Sequence, residues 1–301
     1  MTRSVMSQGP TIFDRQILRA RRRRARALGL ETFLIDRVAQ EFGERLSAVL
    51  RSFGRAVDLG TPTDALARVL NESGKIGALA RAVPDADGAT LAVVADEEAL
   101  PFADASLDLV VSALSLQFVN DLPGALIQIR RALKADGLLL AALIGGETLT
   151  ELRQAFAQAE SEIEGGVSPR VAPFADLREL GALLQRAGFA LPVVDSDRLA
   201  VRYDNAFALM GDLRRMGATN VLRERRRVPL RRATLMRMTE IYAERFAGAD
   251  GRLRATFEIV WLSGWAPHES QQQPLRPGSA RQRLADALGT KEESAGDKTG
   301  R

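Results

Sequence analysis

Two short, almost wholly apolar runs, LDLVVSAL at 107–114 and LLLAALI at 138–144, flank a segment at 126–133 whose apolar residues fall at helical spacing. Neither run alternates apolar with polar residues, so each reads as a strand buried on both faces. Strands of that kind belong to a parallel sheet covered by helices, and the connection here is long enough for a right-handed crossover. The helix between them has recognisable ends. Asn120 or Asp121 can cap it, Pro123 suits its first turn, and Gly137 follows Lys134 near its stop.

The same reading extends outward from this strand, helix, strand unit. Residues 1–50 form an amino-terminal helical arm whose stripe of Phe33, Leu34, Val38, Phe42, Leu46 and Val49 should dock on the main domain. The first strand is placed at 55–59, the first helix at 62–70 and the third strand at 91–95, with the second strand and helix within 71–90. Thr148 and Glu151 have the spacing of a capping box for a helix running to about residue 164. A helix at 177–187 stopped by Gly188 and strands at 191–203 and 254–265 complete a main domain over 51–266. A helical insertion occupies about 204–250. A tail from 267 to 301, rich in Gln, Pro, Gly and charge, is expected to be disordered beyond about 285.

A hydrophobic content of 46% over 301 residues is enough for one sizeable core. The chain has no cysteine, which removes disulfides and thiolate nucleophiles and suggests a reducing, cytoplasmic setting. Its one histidine, His268, rules out a two-histidine iron site or an ordinary zinc site within one chain, so no metal is expected. Basicity is concentrated in two runs. RARRRRAR at 19–26 reads as a solvated helix face, with an anionic membrane surface or an acidic protein as other takers of its charge. RERRRVPLRR at 223–232 reads as a helix end, a break at Pro229 and a new helix. With 5% aromatic residues and no stacking motif, nucleic acid is not an expected partner.

The central unit carries motifs in order: Asp96 with Leu100, Pro101 and Phe102; Asp108 with Val110 and Ser112; Leu116 with Val119 and Asp121; and Leu133, Lys134, Asp136 and Gly137. In this it resembles the class I S-adenosylmethionine-dependent methyltransferases. GGETLTELRQAF at 145–156, the segment at 165–189, DLRRMGATN at 212–220, the segment at 264–280 and FDRQILRARRRRARA at 13–27 are similar to the branch that includes mitochondrial complex I assembly factor five and its bacterial relatives. The malonyl-carrier-protein O-methyltransferases of biotin synthesis are more distant kin. The resemblance implies a seven-stranded, mostly parallel Rossmann-like sheet, S-adenosylmethionine as cofactor, and a protein substrate in respiratory complex I whose arginine is methylated or hydroxylated. The alternative it leaves open is a degenerate fold that acts as a binding or assembly factor.

The ligand crevice of such a sheet lies beyond the carboxyl ends of the strands where their order reverses, which puts Asp58 and Gly60 at its edge. The family's glycine-rich turn is altered here to Gly60-Thr61-Pro62-Thr63-Asp64. Proline removes an amide donor and Asp64 would face the cofactor's carboxylate, so weak cofactor binding is expected. By resemblance, Asp85 or Asp87 would take the ribose hydroxyls and Asp96 the adenine amino group, with Glu97 beside the ring and Ser112 in the fourth-strand motif. Gln117 stands before Phe118 where the family often has histidine. Candidates for the substrate side are Glu147, Asn120 and Asp121, with Tyr203 and Arg170 behind them.

Overall fold

Seven strands make one sheet in the order β3-β2-β1-β4-β5-β7-β6 in the computed structural model, which describes residues 11–84, 92–172, 177–217 and 219–271. The chain divides into two units, 1–267 and 268–301, and the sheet with its helices lies in the first. In chain order the elements are α1 (Arg15–Leu28), α2 (Phe33–Ser47), β1 (Phe53–Leu59), α3 (Ala65–Glu72), β2 (Ile76–Val83), β3 (Ala92–Val94), β4 (Leu107–Ala113), α4 (Leu122–Ala132), β5 (Leu133–Ile144), α5 (Thr150–Glu164), α6 (Leu177–Arg186), β6 (Ala190–Tyr203), α7 (Ala206–Arg215), α8 (Arg232–Phe246) and β7 (Leu253–Trp265).

Strands β3, β2, β1, β4 and β5 run parallel, while β7 pairs antiparallel with both β5 and β6. The order reverses between β1 and β4, the position at which such sheets hold ligands. The unalternating runs do become two-sided strands: Leu109, Val111, Leu138 and Leu140 pack with α2, α3, α5 and α8, whereas Val110, Leu139 and Ala141 pack with α4 and α6. Asp121 caps α4 by accepting the Gly124 N–H at 2.8 Å. On the opposite side of the sheet, α2 buries Leu34, Val38, Phe42 and Leu46, and the Phe42 ring lies 5.0 Å edge-on from Trp261 of β7.

The start of α5 departs from the capping box. Thr148 Oγ1 accepts the Glu258 N–H at 2.9 Å, and the fully buried Glu151 accepts from Thr256 N–H at 3.1 Å and Thr256 Oγ1 at 2.6 Å. Both side chains are therefore spent on fastening the helix to β7, with Leu149 in a left-handed conformation at the N-cap. The second basic run departs as well. Residues 221–231 are irregular, with Leu222 bridged to Phe13, so the expected helix end is absent, while the new helix after Pro229 is α8, beginning at Arg232. The insertion carries α7 and α8, while the connection between β2 and β3 and the tail beyond 271 lie outside the described residues. Among the described residues, no helix is long and apolar enough to cross a membrane.

Candidate active site

Strand β1 ends at the switch point in Asp58-Leu59-Gly60, and the residues around this end are closely interlocked. Asp58 is fully buried, 3.4 Å from the guanidinium of Arg81. Gly60 has φ 73°, the left-handed region that glycine tolerates, and a Cβ there would collide with Glu97 Oε1 and Ser115 Oγ. Those two side chains are bonded to each other at 2.6 Å, so the Glu97 carboxylate lies over the turn, nearly buried at 2% exposure. Burial pushes Glu97 towards the neutral form, but the Arg15 charge and the Ser115 hydroxyl outweigh it and hold the group below its ordinary value.

The arginines responsible come from α1, whose inner face is not solvated as the sequence suggests. Arg15 contacts Asp96 at 3.0 Å, Glu98 at 3.5 Å and Glu97 more closely still, while Arg19 reaches Asp96 at 2.7 Å. Arg22 Nη2 lies 3.5 Å from Ser115 Oγ. Asn120 accepts the Ile12 and Phe13 N–H groups at 2.8 and 2.7 Å and donates to the Phe13 carbonyl at 3.2 Å. Three expected site residues, Asp96, Glu97 and Asn120, are thus brought together, and each is engaged by residues 12–19.

Beside this cluster lies a cavity of about 300 Å³ at the carboxyl ends of β1, β4 and β5. Pro62 and Thr63 line it from the β1 turn, and Leu114, Gln117 and Phe118 from the segment after β4. Its far walls are apolar, with Leu34, Ile35, Phe156 and Phe257 among them, and among the described residues Glu31 is the only carboxylate in the lining. Glu31 is held by Arg215 at 2.6 Å. Arg170, also in the lining, stacks over Phe156 at 5.3 Å and is bonded through Nε at 2.8 Å to Glu160, which is fully buried. The Oε1 of Gln117, a residue of the lining, is buried with no hydrogen-bond partner among the described residues.

Other expected residues are placed elsewhere. Ser112 donates to the Leu59 carbonyl at 2.7 Å and ties β4 to β1, fully buried. Asp121 is committed to its cap and is exposed. Glu147 is exposed and outside the cavity lining, and its N–H donates to Glu258 Oε2 at 2.9 Å. Asp64 is not in the cavity lining: its carboxylate is 65% exposed and 3.6 Å from Arg68, one helical turn on. Tyr203 is buried among core residues and is not part of the cavity lining. Asp85 lies outside the described residues. Sequence reasoning missed Arg15, Ser115 and Glu258. Glu258 alone had a local signal, an acid inside the apolar strand FEIVWL.

Burial raises the Asp58 pKa from 3.8 to about 6, against the opposing pull of Thr61 and Arg81. A carboxyl whose folded value is raised stabilises the fold below its unfolded value, and that contribution fades as pH rises through the folded value. Between about pH 4 and pH 6 the loss is roughly 3 kcal/mol at most. Asp58→Asn should therefore gain on wild type across that window. Urea midpoints of the two proteins measured along the pH axis should diverge from pH 4 upward, and parallel curves would refute the assignment.

Comparisons with known proteins follow the same geometry. Residues 57–141, which span β1 to β5, match the family model described as a methyltransferase domain. Arginine-hydroxylase NDUFAF5, mitochondrial, from Danio rerio is 38% identical over 291 residues, 93% of this chain and 90% of that protein. Malonyl-[acyl-carrier protein] O-methyltransferase from Xylella fastidiosa is 41% identical over 175 residues, 58% of this chain and 57% of its own length. Among solved structures, the YcgJ protein from Bacillus subtilis superposes with a TM-score of 0.51 at 14% identity, covering 76% of this chain and 98% of that one, a likeness of fold. The cytoplasmic setting expected from the cysteine-free composition is overturned by the full-length relatives, which are named as mitochondrial proteins.

Proposed function

The chain belongs to the family of Arginine-hydroxylase NDUFAF5, within the class I methyltransferase superfamily, and on that premise we propose that it is an S-adenosylmethionine-dependent enzyme that modifies an arginine side chain of a protein, a subunit of respiratory complex I. The observation that carries this reading is the cavity at the carboxyl ends of β1, β4 and β5, with Gln117 Oε1 unpartnered in its wall. That acceptor suits the ammonium of the cofactor's amino-acid end. When bound, S-adenosylmethionine would supply an electrophilic methyl group on its sulfonium.

The chain's own residues supply binding and orientation. Glu31, the only carboxylate among the described residues of the lining, is the natural counter-ion for a substrate guanidinium, and its contact with Arg215 at 2.6 Å fixes it in place. The apolar walls from α2, α5 and β7 exclude water and strengthen that pairing. Hydroxylation through a two-histidine, one-carboxylate iron centre does not suit these donors: the sequence has one histidine and no cysteine, and among the described residues no three His, Cys, Asp or Glu side chains are grouped to hold a metal. One observation favours a second reading, that of an assembly factor without catalysis. The Glu97 and Ser115 side chains fill the space over Gly60 that a cofactor would approach.

The test uses Gln117→Leu, which removes a polar atom that makes no bond in the fold. In a strain carrying this variant as its only copy, respiratory complex I activity should fall at least tenfold. Peptide mass measurement of the assembled complex should show loss of a modification at one arginine. Normal activity with an unchanged peptide pattern would contradict the enzyme reading and favour the assembly factor.

A further inference from the structure

We propose that residues 12–22 form an arginine latch that closes the adenosine end of the cofactor crevice and must open before the cofactor can enter. The proposal rests on the cofactor reading above and adds its regulation. The switch point between β1 and β4 is where a nucleoside should lie, yet the cavity stops short of it: Asp58, Gly60, Asp96, Glu97 and Ser115 are all absent from the lining. What fills the place is the Glu97 carboxylate, bonded to Ser115 and topped by Arg15.

The closure is held by charge and is incompletely bonded, which is what a movable element requires. Two guanidiniums, from Arg15 and Arg19, sit on three carboxylates at consecutive positions, Asp96, Glu97 and Glu98. The Arg15 side chain is only 13% exposed, yet its Nε makes no hydrogen bond and its Nη1 only the 3.5 Å ion pair with Glu98, while Nε of Arg19 is also unbonded. Buried donors left unbonded weaken the closed state, so the segment is bound less firmly than its ion pairs alone suggest. Its other anchors include the Asn120 bonds to Ile12 and Phe13, the Phe13–Leu222 bridge, the edge-on contact of Phe13 with Phe118 at 5.8 Å, the bond from Arg21 to the Asn220 carbonyl and the Arg225 contact with Asp14 at 3.5 Å. Of the fourteen residues of α1, only Leu18 and Ala25 are fully buried. Helix α1 can therefore lift without opening the cores on either face of the sheet.

Removing the latch charges while keeping the helix separates this account from its rivals. The full chain and the double variant Arg15→Gln, Arg19→Gln are titrated calorimetrically with S-adenosylhomocysteine. In parallel, both are digested briefly with trypsin, whose sites at Arg21 to Arg24 the variant retains. The latch predicts at least tenfold tighter binding by the variant and faster cleavage within α1. It also predicts that S-adenosylhomocysteine makes the wild-type helix easier to cut. Equal or weaker binding by the variant would overturn the latch and make these arginines part of the binding surface. Should neither protein bind, the cofactor reading fails on its own account and the digestion alone decides: faster cleavage of the variant sustains a charge-held closure, and equal cleavage overturns it.

Discussion

Phe42→Ala should destabilise the protein by about 3–5 kcal/mol, the range for emptying a buried aromatic site. Phe42 is fully buried in α2, its ring lies against Trp261, and the same core takes in Leu34, Val38 and Leu46 from α2 with Leu66 and Leu70 from α3. The hole would open between an amino-terminal helix and β7, elements separated by most of the chain, so neither could close it by a local shift. At about 2–4 °C per kcal/mol for a domain of this size, the melting temperature should fall by roughly 10 °C. A thermal melt followed by far-UV circular dichroism checks this. A fall of only a degree or two would mean that the amino-terminal helices are an appendage on the sheet and contribute little to its core.

The central strands and helix were legible because their signals are local. Two unalternating apolar runs with a capped helix between them allow few arrangements, and β4, α4 and β5 lie where that pattern puts them. The α2 stripe was legible for the same reason, since helical periodicity marks a buried face without reference to its partner. What failed were readings that depend on distant residues. Thr148 and Glu151 have capping-box spacing, but their hydrogen bonds go to β7 more than 100 residues later. Asp64 looked like a repulsive charge in the turn because its rotamer, directed at Arg68, has no signature in the sequence. The run of arginines at 19–26 looked solvated because Asp96, the carboxylate that receives Arg19, is 77 positions away in the chain. The resemblance put forward Asp96 and Glu97 as site residues; their ion pairs with Arg15 and Arg19 are visible only in the structure.

Gly60→Val should remove cofactor binding while leaving a folded protein. The residue sits at φ 73°, where a β-branched side chain is strained, and its Cβ would meet Glu97 Oε1 and Ser115 Oγ. Those side chains must yield, and the direction left to them is outward, across the crevice at the β1 end. Strain of this kind costs about 1–3 kcal/mol, well within what a sheet of this size can absorb. Affinity should nevertheless fall by tenfold or more, about 1.4 kcal/mol or greater, because the amides after β1 could no longer approach a ligand. Gly29→Ala is the control: Gly29 also has positive φ, at 84°, but nothing lies within 4 Å of its added carbon, so it bears strain without blocking the crevice.

The most direct measurement is a calorimetric titration of the wild-type chain with S-adenosylhomocysteine, run beside Gly60→Val and Gly29→Ala. A crevice at the β1–β4 switch point predicts one molecule bound per wild-type chain, binding retained by Gly29→Ala, and binding lost by Gly60→Val with its melting transition intact. Absence of any binding heat from the folded wild type across the millimolar range, or undiminished binding by Gly60→Val, would contradict it.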